Sequence, residues 1–349
     1  MAETPSGKKA ERLDADRLGA WMREHVTGFA GPIEIEKYPG GQSNPTYRIS
    51  TPGRDYVLRR KPPGKLLPGA HAVEREYRVI RALEDQDFPV PHGHALCEDP
   101  AVIGTPFYVM DRVEGRIFWN PRLPEVPAAE RSGYYDAMCE TIARLHRIDY
   151  VQAGLADFGK PGQFLQRQIG LWSRQYAQDE AAGRIDAMDR LVDWLPANIP
   201  DDGDPTAIIH GDFRCDNLIF HPDEPRIIAV LDWELSTLGH PLADFAYHLM
   251  TYRLPPSLPA GLGGEDLKAL GLPSEAEYIN AYCRHSGRSS IDNLDFYMAF
   301  NMFRLAAIIH GVKGRLLRGN ASSDRADQLV GHLGALADAA WGQARRAGA

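Results

Sequence analysis

Residues 208–220 read IIHGDFRCDNLIF. Apolar runs on both sides enclose His210, Asp212, Arg214, Cys215, Asp216 and Asn217. Such flanks put the segment at or near the core, where polar groups are costly unless each has a partner or a task. A histidine, two aspartates, an arginine and an asparagine in so short a span ask for a chemical reason.

Working outward, Asn217 follows Asp212 by five residues, and the run RIIAVLDWE places Asp232 fifteen residues beyond Asn217. Phosphoryl transfer to a hydroxyl uses a carboxylate near the acceptor. It also uses an amide oxygen and a second carboxylate that hold magnesium on the phosphates. Mg²⁺ prefers oxygen ligands, keeps several waters and takes only one or two protein carboxylates. Strands on either side would hold these side chains rigid while leaving them at a cleft.

Composition narrows the classes. A chain of 349 residues predicts two domains or one two-lobed unit. Acidic residues outnumber basic ones, 47 to 39, which argues against a nucleic-acid partner. The opening MAETPSGKKAERLDADR has no apolar core of a secretory signal, and no run is long enough to span a bilayer. Cys97, Cys139, Cys215 and Cys283 are dispersed without a CxxC pair, so neither a zinc site nor a disulfide framework is indicated. Reduced thiols in a cytoplasmic protein, with no membrane or nucleic-acid partner, is the expectation.

The chain changes character near residues 113–118. Residues 1–12 are polar and expected to be disordered. LDADRLGAWMREHV then places Leu18, Trp21, Met22 and His25 at helical spacing. PIEIEKY, TYRIS and DYVLRR alternate and are separated by Gly/Pro turns, which predicts an antiparallel meander. HAVEREYRVIRAL is a helix with Val73, Glu76, Ile80 and Leu83 on one side, and PFYVMDRVEGR is a further strand. Long helical patterns follow in ERSGYYDAMCETIARLHRI, FLQRQIGLWSRQYA and IDAMDRLVDWL, and then on to DRADQLVGHLGALADAAWGQARRA. The predicted division is a tail over 1–12, a β-rich lobe over 13–115 and a mostly helical lobe over 116–349, with a cleft between the lobes.

HGDFRCDN followed by LDWE resembles the HGDxxxxN…D motif of the aminoglycoside phosphotransferase (choline kinase-like) family, relatives of protein kinases. GHPLADFAY and the β-rich start extend the resemblance over roughly residues 30–320. It implies an α+β, bilobal protein-kinase-like fold with a small N-terminal nucleotide-clamp lobe and a larger helical catalytic and substrate lobe. It implies ATP and Mg²⁺ as cofactors, Asp212 as catalytic base, and Asn217 and Asp232 as magnesium ligands. Arg214 stands where protein kinases carry a phosphate-contacting lysine; a surface arginine in a salt bridge is the other reading. Asp244 matches a structural aspartate that braces the catalytic loop. His210 fits a brace working through backbone hydrogen bonds, and Cys215 fits packing.

The resemblance extends to the nucleotide clamp. Gly40, Gly41, Ser43 and Asn44 form a turn between strands, where glycines let backbone N–H groups approach phosphates. The family carries lysine in the following strand, paired with a helix glutamate. This chain has Arg59, with Glu76 as the expected partner and Lys61 on the same strand face as the alternative. Arginine can still contact phosphate oxygens bidentately. Met110 through Val113 resembles the hinge that hydrogen-bonds adenine.

Arg304, Arg315 and Arg318 fall within about 60° of one another on a helical wheel. They read either as a solvated basic face or as an anion-binding face for an acceptor. The phrases GGQSNPTYRI, YVLRRKPPGKLLPGAHAVEREYRVI and FRLAAIIHGV resemble one branch of the family. That branch comprises kinase-like domains fused to acyl-CoA dehydrogenases in animals, and their stand-alone bacterial relatives. It implies a small-molecule acceptor that is a CoA thioester, namely a hydroxyacyl-CoA such as a 4-hydroxyacyl-CoA. An aminoglycoside, choline or homoserine kinase is the alternative enzyme. A non-catalytic nucleotide-binding module is the third reading, and the presence of Asp212, Asn217 and Asp232 argues against it.

Overall fold

The computed structural model describes residues 13–39, 44–64, 71–258, 260–319 and 324–349. The tail read over residues 1–12, and Gly40, Gly41 and Ser43 of the glycine turn, lie outside them. The chain divides into two units: Met1–Glu84 with Val90–Val113, and Asp85–Pro89 with Glu114–Ala349.

The first unit begins with α1 (Ala15–His25), started by Asp14, whose side chain accepts from the amides of Asp16 and Arg17. The strands β1 (Glu34–Lys37), β2 (Thr46–Ser50) and β3 (Asp55–Arg60) form the expected antiparallel meander. Helix α2 (Val73–Glu84) buries Val73, Glu76, Val79, Ile80 and Leu83. Then come β4 (Gly93–Cys97), the short α3 (Pro100–Ile103) and β5 (Phe107–Asp111). The sheet order is β1-β2-β3-β5-β4, so β5 lies between β3 and the earlier β4. Leu18 and Met22 of α1 pack on Ile49, Tyr56, Leu58, Phe107 and Val109. Each such burial contributes about 1.5–3 kcal/mol, and Leu18→Ala would cost about 2–5 kcal/mol. Sequence periodicity misses β4 and α3. In β4 only Gly93 and Cys97, its two ends, are buried, and its register shifts between Gly93 and Ala95, so no alternation marks it.

The second unit is mostly helical. Its elements are α4 (Arg131–Arg147), α5 (Phe164–Gln178), α6 (Asp186–Ala197), β6 (Ala207–Ile209), β7 (Leu218–Phe220), β8 (Ile227–Val230), β9 (Thr237–Gly239), α7 (Pro241–Leu249), α8 (Glu275–Ser286), α9 (Leu294–Leu317), α10 (Asp324–Gly331) and α11 (Leu333–Arg346). Helix α9 is buried around nearly its whole circumference from Phe296 to Phe303 and again at Ala306, Ala307, Ile309 and His310. An all-round apolar helix is a core helix. The run read as one helix over α10 and α11 is broken at His332, beside Gly331, the weakest helix former there. No described helix is long and apolar enough to cross a membrane.

Candidate active site

Two small two-stranded sheets deliver the 208–232 block. β6 pairs antiparallel with β9, and β7 pairs antiparallel with β8, with Leu218 opposite Val230. The chain leaves β6 at His210 and Gly211, whose amides donate to the two carboxylate oxygens of Asp244 at 2.9 and 2.8 Å. His146 Nε2 lies 3.2 Å from the same carboxylate. Burial works against ionisation of Asp244, yet the hydrogen bond and charge of His146, with His210 and its amide, hold it below the usual carboxylate range. The His210 ring closes the loop: Nε2 donates to the Leu231 carbonyl at 2.8 Å and Nδ1 accepts from the Asp212 amide at 3.2 Å. With Nε2 facing a carbonyl and Nδ1 facing an N–H, the ring braces the loop through one donated and one accepted hydrogen bond. Gly211 has φ of +82°, and a Cβ there would meet the Leu235 carbonyl oxygen at 2.8 Å, so no other residue fits.

Asp212 is held at both oxygens. Asn217 Nδ2 donates to Oδ2 at 3.2 Å and to the Asp212 carbonyl at 2.9 Å, while the Tyr247 hydroxyl donates to Oδ1 at 2.5 Å. Tyr247 lies on α7, 35 residues away in sequence, and nothing in the spacing announces it. The Leu231 amide donates to the Asn217 carbonyl at 2.8 Å, which ties the start of β7 to the residue before Asp232. Asp232 itself sits at φ +64°, ψ +60°, a left-handed conformation that costs energy in a non-glycine residue and clusters at functional sites. Among the described residues no group of three or more His, Cys, Asp or Glu could hold a metal. One amide oxygen and one carboxylate, from Asn217 and Asp232, are the hard donors that suit Mg²⁺ carried on nucleotide phosphates, so the residues present fit that ion.

The arginines around the loop divide their contacts. Arg214 grips Asp216 with Nε and Nη2 at 3.1 and 2.9 Å and stands 3.6 Å from Asp212. Burial would lower its pKa, but Asp212, Tyr247 and Asp216 raise it, so the side chain stays charged. Arg304 reaches the loop from α9: Nη2 donates to the Gly211 carbonyl at 3.1 Å and the guanidinium lies 5.4 Å from the Tyr247 ring centre. Arg318, at the other end of α9, is bound bidentately to Asp179 at 2.6 and 2.9 Å, and Arg315 is exposed. The three do not gather into one anion-binding face. The helical wheel fixes their angle, but Arg304 and Arg315 are about 16 Å apart along the axis. Nearby, Lys313 donates to the Ala182 carbonyl, and His310 Nε2 to that of Gly183, both at 2.7 Å.

In the first unit, Glu76 is a buried carboxylate with three described partners. Asn44 Nδ2 donates to it at 2.5 Å, the Tyr108 hydroxyl at 3.1 Å, and Arg59 Nε forms an ion pair at 2.9 Å. Lys61 is paired with Glu74 at 2.9 Å, so Arg59 is the residue opposite Glu76. His71 Nδ1 lies 3.1 Å from Asn44 Oδ1, which orients the amide toward Glu76. Met110 is buried opposite Val57 in the sheet, and Val113 is half-buried.

All four cysteines are unpaired: Cys97, Cys139 and Cys283 are buried and Cys215 partly so. Burial pushes every one of these thiols up, Cys215 to about 12. Cys215 is therefore packing, with no nucleophilic thiolate at neutral pH.

The model of the phosphotransferase enzyme family matches residues 34–287. Mouse acyl-CoA dehydrogenase family member 10 is 46% identical over 344 residues, covering 98% of this chain and 32% of that protein. The chain spans less than half the length of the curated relatives it matches, 32% and 44% for the first two. A Ralstonia eutropha JMP134 protein, provisionally named an aminoglycoside phosphotransferase, has a crystal structure that superposes with a TM-score of 0.88. It is 48% identical, with 96% of this chain and 99% of that one covered. A thermostable mutant of aminoglycoside phosphotransferase APH(4)-Ia, in ternary complex with AMP-PNP and hygromycin B, is 16% identical. It superposes with a TM-score of 0.62 over 95% of this chain and 99% of its own, a likeness of fold alone. The fold is α+β and protein-kinase-like.

Proposed function

The chain belongs to the phosphotransferase enzyme family, and from that membership we propose that it moves the γ-phosphate of ATP onto a small-molecule hydroxyl. The acceptor we propose is a hydroxyacyl-CoA, such as a 4-hydroxyacyl-CoA, in catabolism. The observation that carries the kinase reading is the Asp212 carboxylate, held by Asn217 and Tyr247 in a loop that Asp244 braces from below.

In this reading Asp212 orients the acceptor hydroxyl and takes its proton as the oxygen attacks. Asn217 and Asp232 hold Mg²⁺, which when bound neutralises charge on the phosphates. Arg59, aimed by Glu76, meets phosphate oxygens as the family lysine does. Arg214 adds charge beside the transferred group. Residues 13–115 hold the nucleotide, with Gly40, Gly41, Ser43 and Asn44 over the phosphates and the backbone of Met110 to Val113 along the adenine. Residues 116–349 carry catalysis and the acceptor. Dispersed, unpaired thiols favour a cytoplasmic setting.

The acceptor reading is supported by the relatives' names. The matched proteins are acyl-CoA dehydrogenase family members of which this chain spans under half. A kinase joined to such a partner would act on the same thioesters. Phosphorylating a hydroxyl turns a poor leaving group into a good one, which makes a later elimination feasible. The name of the Ralstonia protein favours aminoglycosides as the second reading. Coupled ADP release with Mg·ATP, screened across hydroxyacyl-CoAs, aminoglycosides and amino alcohols, separates them. Turnover with 4-hydroxyacyl-CoA is expected. Turnover with kanamycin-like amines alone would remove the thioester class.

A further inference from the structure

We propose that Tyr247 is a positioning residue for Asp212, and that Arg304 holds Tyr247 and the catalytic loop in register. The proposal rests on the reading of Asp212 as the base. It concerns how that base is aimed.

A carboxylate on a loop turns freely about its last torsion unless both oxygens are engaged. Here one oxygen accepts from Asn217, a neighbour in the same turn, and the other from Tyr247, on a separate helix. The second contact converts a local arrangement into one fixed by the core, because α7 is buried along its whole length. Two donors leave each oxygen a lone pair for an incoming hydroxyl. Burial and the charge of Asp212 push the Tyr247 hydroxyl far above its ordinary range, so it remains a donor throughout and takes no proton itself.

Arg304 supplies the other half. Its Nη2 bonds the Gly211 carbonyl, one residue before Asp212, and its guanidinium lies against the Tyr247 ring. Its Nε is buried with no hydrogen-bond partner among the described residues. An unmet buried donor lowers stability, so this side chain is not arranged for stability alone. The side chain touches both the backbone one residue before Asp212 and the tyrosine that binds its carboxylate.

During transfer the acceptor O–H proton passes to Asp212, a bond forms from that oxygen to the γ-phosphorus, and the β–γ bridging bond breaks with its electron pair leaving on ADP. Tyr247 and Arg304 move nothing. They set where the proton lands.

The test is a cycle of Tyr247→Phe, Asp212→Asn and both together in the full chain. Turnover is measured with Mg·ATP and 4-hydroxyacyl-CoA, and with water as acceptor in ATP hydrolysis. Tyr247→Phe should lower kcat roughly ten- to hundredfold, with KM for ATP and acceptor nearly unchanged. In the Asp212→Asn background it should cost nothing further. An equal loss in both backgrounds, or a KM effect with kcat intact, overturns the assignment. Arg304→Gln provides a second arm should Tyr247→Phe not fold: its kcat loss should also vanish in the Asp212→Asn background, and a persisting loss overturns its part. Wild-type rates in Asp212→Asn alone would instead sink the reading of the base. No wild-type turnover with either acceptor would remove both.

Discussion

The backbone amide of Leu231 donates to the carbonyl of Asn217 across 2.8 Å, closing the open end of the β7–β8 hairpin. Asp232 is the next residue, so an amide side chain and a carboxylate leave the same end of one rigid hairpin. Rigid presentation is what a metal that demands near-ideal geometry needs.

If Asp232 holds the metal as proposed, Asp232→Ala should abolish Mg²⁺-dependent ATP binding, because it removes the carboxylate charge. Asn217→Ala should be milder at the metal, since water can replace a neutral amide. Calorimetry with and without Mg²⁺ reads both. Unchanged Mg·ATP affinity in the Asp232 variant would rule out the ligand assignment.

Asp212→Asn should lose phosphoryl transfer by roughly 10²–10⁴-fold while still binding ATP. Nucleotide affinity by titration and turnover by ADP release are the two measurements. Near-normal turnover in a folded variant would falsify its role.

Arg315 is exposed near the end of α9, whereas Arg304 is bound to the Gly211 carbonyl and the equally exposed Arg318 to Asp179. If the acceptor carries CoA phosphates, Arg315→Glu should raise its KM several-fold with kcat little changed, as expected for uniform binding. Added salt should weaken the wild-type KM in the same direction. Equal kinetics for variant and wild type would leave Arg315 a solvated charge.

His248 is buried against the Phe213 carbonyl and the Tyr278 hydroxyl. Burial lowers its pKa from 6.5 to about 4. The unfolded chain therefore binds a proton near 6.5 that the folded chain refuses until about 4. Stability is complete above that upper value and declines as pH falls toward the lower one, by roughly 3 kcal/mol in all. His94 and His240 are also depressed and act with the same sign. Urea unfolding at pH 7 and pH 5 should show the loss, and His248→Asn should flatten it. An unaltered slope in the variant would assign the effect elsewhere.

Local chemistry made much of this legible. The β1–β3 meander announces itself through alternation and Gly/Pro turns. Asp212, Asn217 and Asp232 stand out because polarity between apolar strands has to be explained. Glu76 is visible as an acid on the buried side of α2. Contacts that span the chain are not legible. Tyr247 and Arg304 meet the loop around Asp212 across 35 and 93 residues, and both look like ordinary members of helices until α7 and α9 are packed. The pairing of Arg318 with Asp179 crosses 139 residues, so a helical wheel could count the arginine but not see its partner.

The state of the four thiols has a practical consequence. A maleimide dye reacts with thiolate, and three of these sulfurs are buried while the fourth ionises only near pH 12. The chain should therefore label slowly at neutral pH, and mass spectrometry after maleimide treatment checks it. One cysteine introduced at Trp119, whose side chain stands 73% exposed, should take a single fluorophore. That would give the folded chain one defined optical label.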